Sequence, residues 1–274
     1  MSQWQGVSNT AHFTAQIWVR NGFPKASLFN TRRGKLLYHT TSPFLAKGPR
    51  LVRLPVLEDI LLARHRMIER ILLDLDPDQV IELAAGLSPR GLWYSEAFDK
   101  PYLDVDLPGI VKIKEQRIGS AAPSRYRLAA MDLDASEDYH QHLLPYLKKG
   151  KTAVIAEGLL LYLPRSLQER IFSRIARLIG QLGGGCFLAD VHHEEDFERA
   201  GRLIDIFRRL LHTFSRTPLP EQIANPETGH RLICESGFGG LTIHRPQDWR
   251  KKLDLDVGHG SDAGLSIYQA AIAR

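Results

Sequence analysis

Two cysteines, Cys186 and Cys234, are all the chain carries in 274 residues. Two thiols cannot make a disulfide framework, and their separation fits no zinc spacing. Both sit within apolar stretches, so inert core thiols are expected. No run approaches the ~20 apolar residues needed to cross a bilayer. The opening MSQWQGVSNTAHF lacks the basic start and apolar run of a secretion signal. These absences point to a cytoplasmic protein with no membrane partner. Repeats, low-complexity tracts and linkers are also missing, so one domain is expected over 1–274, with a helical cap over 1–74 and a core from 75.

Hydrophobic residues make up 43% of the chain and charged residues 24%, an ordinary globular balance. The net charge is +5 and the sequence pI about 9.2. Two basic clusters, Arg32-Arg33 with Lys35 and Arg250 to Lys252, interleave no aromatics and form no binding motif, which argues against nucleic acid. A solvated basic face is expected; attraction of an anionic substrate is the second reading.

From Leu51 onward the periodicity sharpens. Leu57, Ile60, Leu61, Ile68, Ile71 and Leu72 share one helical face. Arg64 falls in the middle of that face and Arg66 roughly away from it. A buried guanidinium needs a partner, either a neighbouring carboxylate or that of a ligand. Short apolar strands follow at 79–83, 102–105, 125–131, 152–156 and 186–189, alternating with helices. One helix is expected over 136–147. Another, after Pro164, has its apolar face at Leu167, Ile171, Ile175, Leu178 and Leu182, with Ser166 and Glu169 at capping-box spacing. A further apolar face runs from Phe197 to Leu211. Strands at 241–244 and 265–273, with no helix between them, close the chain as an antiparallel edge. Continuously apolar strands alternating with helices predict a doubly wound, mostly parallel α/β sheet of seven strands.

Ligands of such sheets bind beyond the carboxyl ends of the strands. An acidic residue stands at or after each of the first five: Glu82, Asp106, Asp132, Glu157 and Asp190. A cofactor with ribose hydroxyls, an adenine amino group, an ammonium and a sulfonium would be well served by that rim. The first turn, Glu82-Leu83-Ala84-Ala85-Gly86, places small residues where backbone must approach a ligand. Asp106 follows Gly86 by 106 − 86 = 20 residues, the spacing of a ribose-binding carboxylate. The G-x-G-x-x-G of a dinucleotide site is missing, which argues against NAD and is compatible with a phosphate-free nucleoside.

Three segments, VIELAAGLSPRGL at 80–92, YLDVDLPGIVKIK at 102–114 and AVIAEGLLLYLP at 153–164, resemble successive motifs of leucine carboxyl methyltransferases and their bacterial, polyketide-type O-methyltransferase relatives. LARHRMIERIL at 62–72 resembles the arginine-bearing helix before the first motif, and ESGFGGLTI at 235–243 is similar to the wider fold. The resemblance implies a class I, Rossmann-like methyltransferase sheet under an N-terminal helical lid. It implies S-adenosylmethionine as cofactor, with S-adenosylhomocysteine as product. Arg64 would bind the cofactor carboxylate, with Arg66 as alternative. Ala84 and Gly86 would line the methionine part and Glu157 would approach its amino end. Asp106 would hold the ribose, and Asp132 with Leu133 would bracket the adenine. Glu82 belongs to the same cofactor motif. Two positions depart from the family: Ala84 where Gly is usual, tolerable if φ stays negative, and Ser88 where Asp is usual.

Methyl transfer needs alignment and exclusion of water, and neither a metal nor a covalent enzyme intermediate. A carboxylate acceptor would need no base; a phenol, with pKa near ~10, would. His192 and His193, just after the fifth strand, are the candidate bases, and Tyr162 either packs or touches substrate. The run His192 to Asp196 is better read as an acidic helix start than as a metal cluster. The acceptor is expected to be a small molecule, with a protein C-terminus, a modified RNA base or a degenerate binding module as alternatives. Specificity is expected from the N-terminal helices and an insertion around 207–224, with Phe23, Tyr38, His39 and Phe214 as lining residues. The sequence leaves the oligomeric state open.

Overall fold

A computed structural model describes residues 7–45, 57–196, 220–253 and 265–272. Seven strands form one sheet: β1 (Gln79–Leu83), β2 (Tyr102–Asp106), β3 (Tyr126–Ala130), β4 (Thr152–Ala156), β5 (Gly185–Val191), β6 (Gly240–His244) and β7 (Ser266–Ile272). Their order is β3-β2-β1-β4-β5-β7-β6. The first five run parallel, and β7 inserts antiparallel between β5 and β6. The expected mostly parallel sheet with an antiparallel edge is therefore present.

Strand alternation sends side chains to opposite faces. Ile81, Leu83, Leu103, Val105, Val154 and Ala156 enter one core with α7 (Arg165–Leu182), whose Leu167, Ile171, Ile175, Leu178 and Leu182 are buried. Val80, Tyr102, Ala153, Ile155, Cys186 and Leu188 enter the other, against α3 (Leu57–Leu75) and α4 (Arg90–Phe98). Every residue of β4 is buried, as a strand covered on both faces should be. The N-terminal α1 (Val7–Arg20) and α2 (Arg32–Leu45) pack together over a separate cluster with Phe13, Ile17, Trp18, Tyr38 and Leu61. Among the described residues the remaining α-helices are α5 (Pro108–Ile118), α6 (Tyr139–Leu143), α8 (Pro226–Glu235) and α9 (Pro246–Leu253).

Several expectations need correction. The helix at 136–147 shrinks to α6 and one 3-10 turn, Leu144–Tyr146: Pro145 has no amide hydrogen with which to continue the helical ladder, and Asp138 supplies the start by accepting from the Gln141 amide at 3.0 Å. No capping box opens α7. The helix begins at Arg165 with Pro164 as its cap, so Ser166 is already inside, and Glu169 pairs with Arg165 at 3.0 Å. A helix, α9, does lie between β6 and β7; among its described side chains Trp249 and Leu253 join the core, too sparse a stripe to read. Cys186 is buried, but Cys234 is exposed, because the periodicity of α8 buries Leu232 and Ile233 instead. The face from Phe197 to Leu211, and Phe214, lie outside the described residues. No described helix is long and apolar enough to cross a membrane.

Candidate functional site

A cavity opens at the carboxyl ends of β1, β2 and β4, roofed by α1 and α3. Its lining includes Glu82, Ala84, Gly86, Asp106, Asp132, Leu133 and Glu157 from the strand ends and loops. Arg64, His65, Ile60 and Leu61 come from α3, and Thr10, Ala11, Phe13, Thr14 and Trp18 from α1. Every residue expected to hold the cofactor therefore meets in one place. Parallel register explains this: Leu83 pairs with Val105 and with Ala156, so the three strands end level.

The first turn is tightly clasped. Gly86 donates its amide to Asp106 Oδ2 at 2.7 Å, and Leu107 donates to Oδ1 at 2.7 Å. Burial pushes the Asp106 carboxyl up to about 6, although both amides oppose the shift. Gly86 adopts φ +53, and a Cβ there would lie 3.3 Å from the Ala11 methyl of α1. Ala84 also has positive φ, +51, so the condition under which its methyl would be tolerated without strain is not met. An L-residue there carries about 1 kcal/mol of strain.

Glu157 is the hub of a buried charge network. Its Oε1 accepts from Arg64 Nε at 3.0 Å; its Oε2 lies 2.5 Å from Arg90 Nη2 and 3.0 Å from His65 Nδ1. Burial opposes its charge, but His65, Arg90 and Arg64 together hold it well below the usual carboxylate range. Arg64 also donates from Nη1 to Asp190 Oδ2 at 3.1 Å, and Gly158 donates its amide to Asp190 Oδ1 at 2.6 Å. The partner that Arg64 required is thus a pair of neighbouring carboxylates, and its Nη2 has no hydrogen bond to a described residue. Arg66 instead lies over the Phe23 ring, 5.8 Å from its centre.

Arg90 was not anticipated. It is fully buried and donates from Nη1 to Glu82 Oε1 at 2.8 Å. Glu82 is 2% exposed and faces Asp104 across the sheet; burial pushes its pKa up. His65 was missed too. Its Nε2 stands 3.2 Å from Glu69 Oε1, off the line of a hydrogen bond, and its ring lies against Trp18 and Phe23. Burial and Arg90 lower its pKa, and Glu157 and Glu69 outweigh them and raise it. The signal available in the sequence was His65 directly beside Arg64 on the expected helix, and Arg90 within the first family motif.

The structure separates the candidate bases. His192 lines the cavity, with Nε2 3.9 Å from Asp190 Oδ2. His193 turns away: it is fully buried, with Nδ1 3.2 Å from Asp196 Oδ2 and Nε2 2.7 Å from the Tyr268 hydroxyl. Burial lowers its pKa. Tyr162 lines the cavity, and burial pushes its phenol up to about 12 while Arg64 and a hydrogen bond with Thr10 oppose. Phe23, Tyr38 and His39 are absent from the lining; Phe13 and Trp18 take that part. No metal-binding group of histidine, cysteine and carboxylates is found among the described residues.

A profile of the family described as "Leucine carboxyl methyltransferase" matches residues 25–176, more than half of the chain. The protein belongs to the leucine carboxyl methyltransferase family. It is similar to a protein of Mycobacterium sp. (strain JLS), named as a candidate S-adenosyl-L-methionine-dependent methyltransferase. The two are 28% identical over 165 residues, 57% of this chain and 54% of that one. A relative of the same description from Mycolicibacterium paratuberculosis is 34% identical over 127 residues, 44% of this chain and 42% of its own. The chain thus spans about half the length of these relatives. In fold it matches a candidate methyltransferase from Thermobifida fusca at TM-score 0.65 and 13% identity, covering 95% of this chain and 94% of that one. The sheet is thereby a class I methyltransferase sheet.

Proposed function

We propose that this family member is an S-adenosylmethionine-dependent O-methyltransferase acting on a hydroxyl of an apolar small molecule inside the roofed cavity. The observation that carries the reading is the convergence of the Gly86–Asp106 clasp and the Glu157–Arg64 pair in one cavity.

The residues fit the cofactor. Asp106 has lone pairs left to accept from ribose hydroxyls after its two amides. Gly86 offers bare backbone at the turn. Two guanidiniums, Arg64 and Arg90, face three carboxylates, Glu82, Glu157 and Asp190. A site with surplus negative charge favours a ligand bearing an ammonium and a sulfonium. The free Nη2 edge of Arg64 suits that ligand's carboxylate. Asp132 and Leu133, with Met131 beside them, offer an edge and an apolar surface for adenine. When bound, S-adenosylmethionine supplies a methyl group on an activated leaving group.

The chain's own part is alignment, exclusion of water and removal of a proton. Phe13, Trp18, Leu61 and Leu161 give the cavity an apolar wall under α1, which suits a small apolar acceptor more than a protein terminus. His192 stands in the lining, backed by Asp190, where it would take the acceptor's proton. A carboxylate acceptor would need no such base.

Calorimetric titration with S-adenosylmethionine and S-adenosylhomocysteine, beside Asp106→Ala and Glu157→Ala, tests the donor site. Binding lost in both variants is expected. A folded wild-type protein that binds neither ligand sinks the reading.

A further inference from the structure

Arg90 is a fully buried cation at the rim of the cavity to which the proposed function gives no task of its own. Arg90 opens α4, and Gly91 directly behind it lets that helix close on the sheet. A Cβ at Gly91 would come within 2.8 Å of both Tyr102 and Tyr126. The close approach delivers the guanidinium between two adjacent strands. Nη1 reaches Glu82 on β1, and Nη2 reaches Glu157 just after β4. The Tyr102 hydroxyl donates to the other oxygen of Glu82 at 2.5 Å, so Glu82 is itself held from two sides.

Burying such a bridge is a poor way to gain stability. Desolvation of the ions largely offsets their attraction, and apolar replacements of buried ion pairs are often neutral or better. What the bridge does accomplish is geometric. One planar fork fixes two carboxylates at once, whereas a lysine reaches as a single point. With Oε2 of Glu157 occupied by Arg90, its Oε1 edge is turned to Arg64 and the cavity.

We propose that Arg90, clamped by Glu82, is a positioning residue of the methyl-donor site: it fixes the rotamer and the charge of Glu157. The inference rests on the reading that this cavity holds S-adenosylmethionine. Other groups also face Glu157. On α3 these are Arg64 and His65, with Glu69 behind His65; Asp190 on β5 and Tyr162 act through Arg64. Arg90 differs from them in being tied to β1, so it transmits the position of one strand to the end of another. Its loss removes one of the two guanidiniums that hold Glu157, and an opposite charge at that range moves a carboxyl by about one to three pH units.

The test uses full-length protein with 13C-labelled glutamate carboxyls, the Glu157 signal being assigned with Glu157→Gln. Two variants are compared with wild type: Arg90→Lys, and the double variant Arg90→Met with Glu82→Gln, which leaves no unpaired acid at position 82 should the first fail to fold. The expected result in the variants is a Glu157 titration displaced upward by about one unit or more. S-adenosylhomocysteine affinity should fall about tenfold or more, with Arg90→Lys rescuing only part. Folded variants that lose thermal stability while keeping the wild-type titration and affinity overturn the inference, because a merely structural arginine would behave so. Failure of the donor reading looks different: wild type itself would then bind no S-adenosylhomocysteine.

Discussion

Acidification should weaken cofactor binding through Asp106. Its carboxyl is pushed up to about 6 from an ordinary 3.8, chiefly because burial disfavours its charge. The ribose hydroxyls would donate to the ionised form, so only that form binds well. At pH 5 about one carboxyl in ten is ionised, against about nine in ten at pH 7. The association constant for S-adenosylhomocysteine should therefore fall about tenfold between pH 7 and pH 5, and level off above pH 7. Stability of the ligand-free protein should move in the opposite direction. A group whose folded pKa is raised contributes stability that is complete below its unfolded value, near 4, and is lost as pH rises through 6. The difference of about two pH units corresponds to about 3 kcal/mol in full burial. Asp106 keeps some contact with solvent, so about 2 kcal/mol is the working figure. Titration calorimetry across the pH range measures the first effect and urea unfolding of the apo protein the second. Asp106→Asn is the control: binding should be weak and flat with pH, and the Asp106 share of the stability change should vanish. Wild-type affinity that is constant from pH 7 to pH 5, or a slope that survives in Asp106→Asn, would refute the reasoning.

Other predictions concern neighbouring residues. Ala84→Gly removes about 1 kcal/mol of left-handed strain and adds somewhat less in unfolded-chain entropy; urea unfolding should show no loss of stability, where a helix or strand interior would lose about 0.5–1 kcal/mol. Gly158→Ala should cut cofactor affinity severalfold in calorimetry. Its backbone has φ +69, and the new Cβ would stand 3.1 Å from Arg64 Nη2, displacing the guanidinium. His193→Ala should destabilise by about 2–4 kcal/mol in denaturant, since it opens a buried space and takes a hydrogen-bond partner from both Tyr268 and Asp196. His192→Ala should fold normally, keep its affinity for S-adenosylhomocysteine, and lower the methylation rate by about 10²–10⁴ with a hydroxyl acceptor; an unchanged rate would favour a carboxylate acceptor.

Much of this protein was legible because parallel strands buried on both faces must be continuously apolar. β1 and β4 begin and end where the sequence placed them, and Gly183 ends α7 in the left-handed conformation expected of a helix stop. The rim of acids was readable for the same reason: each stands near the carboxyl end of a strand, although Glu82 and Asp190 lie one residue inside theirs. Short-range competition was harder. Pro145 cut a helix that periodicity alone would extend, and α9 was missed because the described apolar residues it sends into the core, Trp249 and Leu253, are too few to show a period.

Sequence by itself determined the sheet, the positions of Asp106, Glu157 and Arg64, and the family motifs, because these depend on local pattern and strand ends. Only the tertiary structure decided what each charge does. Arg64 turned out to bridge Glu157 and Asp190, residues 93 and 126 positions away. His192 and His193, adjacent in the chain, parted because successive backbone positions leaving a strand point to opposite sides. Arg90 and His65 acquired their roles from distant partners. Pairing between buried charges is a matter of three-dimensional distance, and no spacing along the chain encodes it.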